Sequence, residues 1–593
     1  MLFGKYVNKF YKKYFVSFLF GIIFLILVDF VQSKVPEYIG DLTARYDEGI
    51  LTTDYLNKIC LYIFLIAIFM FLGRFIWRIC ILKTSYKIST DLRKEMFDKS
   101  EVLSQNYYHK NKVGGIMSYY TNDLDTIQEA YGWGMVMLVD SLVLGGLSFY
   151  KMIKVSWQLA LICAIPLTAL CVAAYFIDNK MEKIYNERQK AFEKMSDYAQ
   201  ELFSGLRVIK AFVKEAKEAI RFKKVNKENQ QKDLSLIKFS ALLDTLISIL
   251  IEMMFVIGMI VGGIMIYNNL FDRPGFDFSR AQMLEFIGYL DMIIWPMIAL
   301  GQIVALRSRA KTSLKRVSVL LDENVDVKDE ENLIPLLEIK GKITFKNFSY
   351  AYQGETIEAL KNVNLEILPG ENIGIVGKIG SGKSTLVNAL LRVDNVKKGT
   401  LFLDDHDIME IPIKQVRDNI SMVPQDNFLF STPISNNISF SNEKMSEDEI
   451  IEAAEFADVH NNIKEFIDGY RTLLGEKGVT LSGGQKQRVS IARAYAKHSP
   501  IMILDDSVSA VDVKTEETIL KNIKEKRHGK TTLIVASRVS TVAHLDKIIV
   551  MNQGRVEAFA NHNELLEISP TYQKMVHLQE LENELNEGEK DGK

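Results

Sequence analysis

The chain has 593 residues, more than one hydrophobic core ordinarily holds, so two or more domains are expected. Its 72 Lys plus Arg nearly balance 74 Asp plus Glu, which excludes the bulk basic charge of a nucleic-acid binder. The 48% hydrophobic content is uneven: apolar runs crowd into the first 305 residues, and the remainder has the pattern of a soluble α/β domain.

Lys5, Lys9, Lys12 and Lys13 precede the first apolar run. That run is long and lacks a small-residue cleavage site, so it reads as a retained span and not a signal peptide. Six runs reach the roughly 20 helical residues that a bilayer core requires. They lie near 14–33, 57–82, 133–150, 157–177, 243–267 and 281–305. Two long polar stretches rich in Lys and Arg, 83–130 and 178–240, have helical character, and positive charge places them with the N-terminus in the cytoplasm. The connections 34–54, 151–156 and 268–280 are expected outside, the first carrying Glu37, Asp41, Asp47, Glu48 and Asp54. The segments 113–127 and 201–215 are amphipathic, and read either as solvated hairpins or as elements that push on a soluble domain.

Cys60, Cys80, Cys163 and Cys171 lie in or beside apolar runs and have no metal-binding spacing, so they read as thiols buried in the membrane. Asp29, Arg74, Arg78, Asp140, Asp244, Glu252 and Asp291 fall near or inside spans. Charges at this depth are costly and face a cavity or a partner. Glu252 beside Met253 and Met254, and Asp291 beside Met292 and Trp295, are candidate contacts for a cationic or amphipathic substrate, with charge pairing between helices as the alternative. Pro166 and Pro296 are expected to kink their helices. The chain thus divides into a transmembrane domain (1–310), a charged linker (311–340), an α/β domain of alternating strands and helices (341–575) and a charged tail (576–593), which reads as a fraying helix or a disordered end.

In "NIGIVGKIGSGKSTLVNALL" a strand run passes through a Gly-rich turn into a helix. Gly377, Lys378, Ile379, Gly380, Ser381, Gly382, Lys383 and Ser384 fit the phosphate-loop pattern. Its backbone amides wrap phosphate oxygens, Lys383 reaches the β- and γ-phosphates, and Ser384 holds Mg²⁺. "IMILDD" is a buried strand ending at Asp505, placed to bind Mg²⁺. "LSGGQKQR" opens a second helix with Ser482, Gly483, Gly484 and Gln485, a second anion-binding turn. Because the chain already has its own phosphate loop, that turn is expected to serve a nucleotide held by another copy of the domain.

With these motifs in this order, the chain resembles ATP-binding cassette (ABC) exporters in which six spans are fused to one nucleotide-binding domain. The resemblance covers essentially the whole chain. It implies an α-helical transmembrane domain of six spans with long cytoplasmic extensions, fused to an α/β P-loop cassette that binds ATP and Mg²⁺. It further implies Tyr352 as the adenine-stacking aromatic, Thr385 as the last residue of the phosphate loop, and Gln425 as the glutamine that senses Mg²⁺ and water. Glu476 falls in the segment that touches the coupling helices, Asp512 in the segment that crosses between cassettes, and 113–127 and 201–215 resemble the coupling helices themselves.

Two positions depart from the family pattern. Asp506 stands where a glutamate orients the attacking water, and is one methylene, roughly 1.5 Å, shorter. Ser537, in "IVASR", stands where a histidine contacts the γ-phosphate; serine has neither the charge nor the reach. The binding residues are retained, so this resembles the hydrolysis-impaired half of a heterodimeric exporter of hydrophobic or amphipathic compounds. Its partner would be a second half-exporter carrying Glu and His at these positions. The expected setting is the cell membrane, in contact with lipid, with the N-terminus and the cassette cytoplasmic. A slow homodimer, a lipid flippase and an ABC-fold sensor with little transport remain alternatives.

Overall fold

The computed structural model describes residues 5–591 apart from 112, 271–277, 331–332, 476–477, 479 and 509–510. Within helices, the side chains of 113, 167, 170–179, 181–182, 185, 243–244, 247, 304–305 and 582–591 are also outside the description, which leaves out those of Cys171 and Asp244. The chain forms two bodies, 1–101 with 112–323, and 102–111 with 324–593.

The first body is helical, its principal helices being Phe15–Gln32, Val35–Asp47, Thr53–Val102, Trp133–Val155, Trp157–Ser204, Glu215–Asn269 and Arg280–Asp322. Among the described residues, five stretches are long and apolar enough to cross a membrane: Phe15–Asp47, Thr53–Val102, Gly114–Val155, Ser248–Asn269 and Arg280–Asp322. The expected span at 157–177 begins as the apolar helix Trp157–Pro166 and then enters residues whose side chains lie outside the description. Helix starts follow local chemistry. Ser156 accepts a hydrogen bond from the Leu159 amide (3.4 Å), and Ser279 and Gln282 form a capping box at the last membrane helix.

With lipid offering no hydrophobic drive between spans, close approach comes from small residues. A Cβ added at Gly73 would lie 2.5 Å from Val28 Cγ2, and one at Gly145 would lie 3.0 Å from Pro296 Cβ. The interior gathers Leu144, Met152, Cys163, Met254, Tyr289 and Met292. Glu252 and Asp291 are both exposed, whereas Met254 and Met292 near them are packing residues of this core. Among the described cysteines, Cys163 is buried, Cys80 half-buried and Cys60 exposed on the helix surface, all as free thiols.

The tail is helical as far as Asp591, within the helix Pro570–Asp591, the first of its two expected forms. Two other sequence expectations need correction. The last membrane helix continues to Asp322, so 311–322 is helix and not linker. The segment 113–127 is not a free contact element: Ile116, Leu124 and Ile127 are buried in the membrane-domain body, and the fully buried Asp123 pairs with Arg316 of the last helix. Its amphipathic face is used internally. The stretch that groups with the second body is instead 102–111, whose short helix Gln105–Lys110 is fixed by Asn106 Nδ2 donating to Asp394 Oδ1 (2.6 Å) and Lys110 Nζ donating to Gln353 Oε1 (3.3 Å).

The second body holds two sheets. Strands β1 (Ile343–Tyr350), β2 (Leu360–Ile367), β4 (Leu401–Leu403) and β5 (His406–Asp407) pair antiparallel in the order β2-β1-β4-β5. Strands β3 (Asn372–Gly377), β6 (Ile420–Val423), β7 (Ile501–Asp505), β8 (Thr531–Val535) and β9 (Lys547–Asn552) run parallel, and β10 (Arg555–Ala560) closes one edge antiparallel, giving β10-β9-β3-β8-β7-β6. Both faces of this sheet are covered. Met502 and Leu504 enter one core with Val376, Ile534 and Val550, whereas Ile501 and Ile503 enter the other with Ile375, Leu533 and Ile549. That explains why β7 reads as an unbroken apolar run.

Arg316→Ala is expected to strand the Asp123 carboxylate inside the membrane-domain body and destabilise it by about 1–3 kcal/mol. Thermal melting in detergent should fall accordingly, with Arg316→Lys recovering part of the loss.

Candidate nucleotide site

Parallel strands all point their carboxyl ends to one edge, where the chain must leave the apolar sheet and can become polar. The candidate residues collect there: the loop 377–384 follows β3, Gln425 follows β6, Asp505 and Asp506 end β7, and Ser537 follows β8.

The loop's shape demands glycine. Gly377 would place a Cβ 2.3 Å from the Met551 carbonyl oxygen, and Gly382, at φ +96°, caps the helix Lys383–Leu390 in the left-handed region. Lys383 Nζ donates to the carbonyls of Gly377 (2.9 Å) and Lys378 (3.2 Å), spanning the loop it closes. Burial pulls its ammonium below the usual lysine range, with Asp506 and Asp505 opposing. Ser381 is buried, and its Oγ has no hydrogen-bond partner among the described residues. A glycine cradle, a lysine at its mouth and an unsatisfied hydroxyl fit a polyphosphate.

Ser384 Oγ donates to Asp505 Oδ1 at 3.1 Å, joining the phosphate loop to β7. Burial pushes the Asp505 carboxyl above the usual range, Ser384 pulls it down, and Asp506 pushes it up again. A buried carboxylate beside a second carboxylate and a hydroxyl is a donor set that fits Mg²⁺, which would screen phosphate charge there. Tyr352 is partly exposed; its hydroxyl is 2.8 Å from Thr385 Oγ1, and its ring meets that of Tyr350 edge-on at 5.2 Å. Gln425 is exposed.

The two departures from the family pattern touch each other. Ser537 Oγ donates to Asp506 Oδ1 at 3.3 Å. The Asp506 backbone is left-handed at φ +47°, its N–H donates to the Val535 carbonyl (3.0 Å), and its carbonyl accepts from Gln487 Nε2 (3.4 Å). Left-handed backbone is uncommon outside glycine, though aspartate tolerates it better than most residues.

The helix Gly483–Ala496 begins with a capping box: Ser482 Oγ accepts from Gln485 N (3.3 Å), and Ser482 N donates to Gln485 Oε1 (3.0 Å). Ser482 and Gly483 are exposed, leaving the turn open to an approaching anion. Asp512 caps the helix Val513–Lys526 by accepting from Thr515 N (3.1 Å), which holds its carboxyl below the usual range. Glu476 lies outside the described residues.

Two residues were missed from sequence. Gln487 is buried and reaches Asp506 from the helix that Ser482 starts. Arg493 donates to Asn437 O (2.8 Å), Asn437 Oδ1 (2.6 Å) and Phe428 O (2.9 Å), tying that helix to the loop after Gln425, and burial lowers its pKa to about 10. These bonds span 56 and 65 residues, so no local pattern announces them.

Residues 18–297 match the family described as ABC transporter transmembrane region, and residues 360–509 that described as ABC transporter. A probable multidrug resistance ABC transporter ATP-binding/permease protein, YheI of Bacillus subtilis, is 32% identical over 578 residues, covering 97% of each chain. The multidrug resistance-like ATP-binding protein MdlA of Escherichia coli is 31% identical over 582 residues, covering 98% of this chain and 97% of its own. A solved bacterial Atm1-family ABC exporter with ATP bound superposes with a TM-score of 0.78 at 22% identity, over 96% of this chain and 98% of that one.

Gly377→Ala is expected to displace the loop amides and cost at least one charge-assisted hydrogen bond to phosphate, about 1.5–3 kcal/mol. Affinity for a fluorescent ATP analogue, titrated on the purified full chain, should fall roughly tenfold or more.

Proposed function

The chain belongs to the ABC transporters, with an exporter-type membrane domain and an ATP-binding cassette on one polypeptide, and on that premise we propose that it is the hydrolysis-impaired subunit of a heterodimeric exporter of hydrophobic or amphipathic compounds. The observation that carries this reading is the Asp506–Ser537 pair. The acid that follows the metal aspartate is short, and its carboxylate already accepts a hydrogen bond from the residue where a γ-phosphate histidine is expected. A displacement of about 1 Å at such a position costs on the order of 100-fold in rate.

The binding apparatus is intact beside it. In the proposal, ATP and Mg²⁺ are held by the phosphate loop, Ser384, Gln425 and Asp505, with Tyr352 against the base. Turnover occurs chiefly where the partner's phosphate loop meets this chain's Ser482–Gln485 turn, and this chain's own ATP lingers and keeps the cassettes together. The tip of the 201–215 segment supports a second subunit. Phe203, Val208, Phe212 and Val213 are exposed around the short helix Leu206–Ala211, an apolar surface suited to docking on a partner's cassette. Names given to the relatives support drug-like cargo, with flippase activity separable by comparing labelled lipid and dye in vesicles.

The decisive comparison is between two variants in the assembled complex at saturating ATP. Ser482→Arg blocks the exposed turn and removes a donor at developing charge, an effect typically of 10²–10³ in rate. Lys383→Ala weakens ATP retention but leaves measurable hydrolysis. A greater loss in Lys383→Ala would put the active nucleotide in this chain's own loop and overturn the assignment.

In the chain purified alone, phosphate release should be near background, and turnover of about 1 s⁻¹ or more would favour a homodimer. Asp506→Glu combined with Ser537→His should raise that rate at least about tenfold over either single change, since reach and γ-phosphate contact are both absent in the native site.

A further inference from the structure

Two aspartates inside the membrane domain are buried without an adequate counter-charge. Asp29, one turn from the end of the helix Phe15–Gln32, is 3% exposed; Asp140, about two turns into the helix Trp133–Val155, is 7% exposed. Asp29 Oδ2 and Asp140 Oδ1 have no hydrogen-bond partner among the described residues. The other Asp140 oxygen accepts from Trp295 Nε1 at 2.8 Å. Among the described residues, neither carboxylate forms an ion pair with Lys or Arg within 4.0 Å. Arg74 lies within electrostatic range of both, but its guanidinium is committed to Gln32 Oε1 (3.1 Å) on an exposed helix face. Two carboxyl groups against one guanidinium leave at least one of them without a cationic partner.

A charge inside a span is costly and is retained where something pairs with it. The surroundings indicate what that is. Trp295, bonded to Asp140, is 39% exposed. Indole faces attract organic cations, and the attraction grows when water is excluded. A hard divalent ion is a poor match, because it takes six or more oxygens and the groups shown here are two carboxyls and an indole.

We propose that Asp29 and Asp140, with the Trp295 indole, form a subsite for the positively charged head group of an amphipathic organic cation. This rests on the exporter reading and narrows its cargo. The head group reaches the carboxylates when the spans separate, and is held between charge and aromatic face once they close. Asparagine is the informative replacement, since it keeps the shape of aspartate and an acceptor for Trp295 while removing only the charge.

The test is equilibrium binding of radiolabelled tetraphenylphosphonium, a permanent cation, to the purified full chain in detergent, alongside uncharged calcein acetoxymethyl ester. The ratio of cation to neutral affinity is expected to fall about tenfold or more in Asp29→Asn and in Asp140→Asn, and to recover in Asp140→Glu. No cation binding by the native chain, an unchanged ratio, or equal loss of both probes would each overturn the subsite. ATP-driven uptake of both probes into vesicles, with the partner subunit present, is measured separately. A charge-dependent ratio without uptake leaves the subsite standing and removes the exporter reading, whereas uptake with an unchanged ratio does the reverse.

Discussion

The hydrogen bond from Ser384 to Asp505 is the joint on which the cassette's chemistry depends. It closes 121 residues of chain and connects two things that a sequence makes separately: a loop that must be glycine-rich to wrap an anion, and a strand that must be apolar to lie between two cores. Asp505 is the first residue of β7 free to be polar, because the strand reaches the sheet edge there. Its carboxylate is still mostly buried, and so is driven to find a hydroxyl or a cation. Lys383, Ser381 and Asp506 acquire their environments from that one meeting of loop and strand.

Asp506 departs from the family pattern in more than length. Its backbone is turned left-handed and tied on both sides, to Val535 and to Gln487, while its side chain is engaged by Ser537. Gln487 belongs to the helix that the Ser482 turn opens, so the main chain just after Asp505 is bonded to the helix that this exposed turn begins. Strained, over-determined positions of this kind persist only where neighbouring structure holds them.

Much of this was legible in the sequence, for identifiable reasons. The loop 377–384, the strand ending at Asp505 and the turn at Ser482 are contiguous patterns in which residue type and backbone demand coincide. The spans were legible because about 20 apolar residues in a row suit a bilayer core and little else. What failed was non-local. The amphipathic face of 113–127 was visible, but the sequence could not say that Leu124 and Ile127 pack within the membrane domain while Gln105–Lys110 joins the other body. The polar stretch 311–322 resembled a linker because its helix buries a narrow stripe, Ser313, Leu314, Val317 and Leu320, beneath many charges. The Asp506–Ser537 contact, spanning 31 residues, turned two separate oddities into one feature only when β7 and β8 lay side by side.

The membrane domain's helices do not stop where lipid would end. Glu215–Asn269 runs unbroken for 55 residues and Thr53–Val102 for 50. At 1.5 Å per residue the longer is a rod of roughly 80 Å. A rod of that length is a lever: a tilt of about 5° at one end sweeps the other sideways through some 7 Å, more than half the width of a helix. A change in packing at one end too small to exchange any side-chain contact thus becomes, at the other, a sideways displacement wide enough to part a helix from its neighbour.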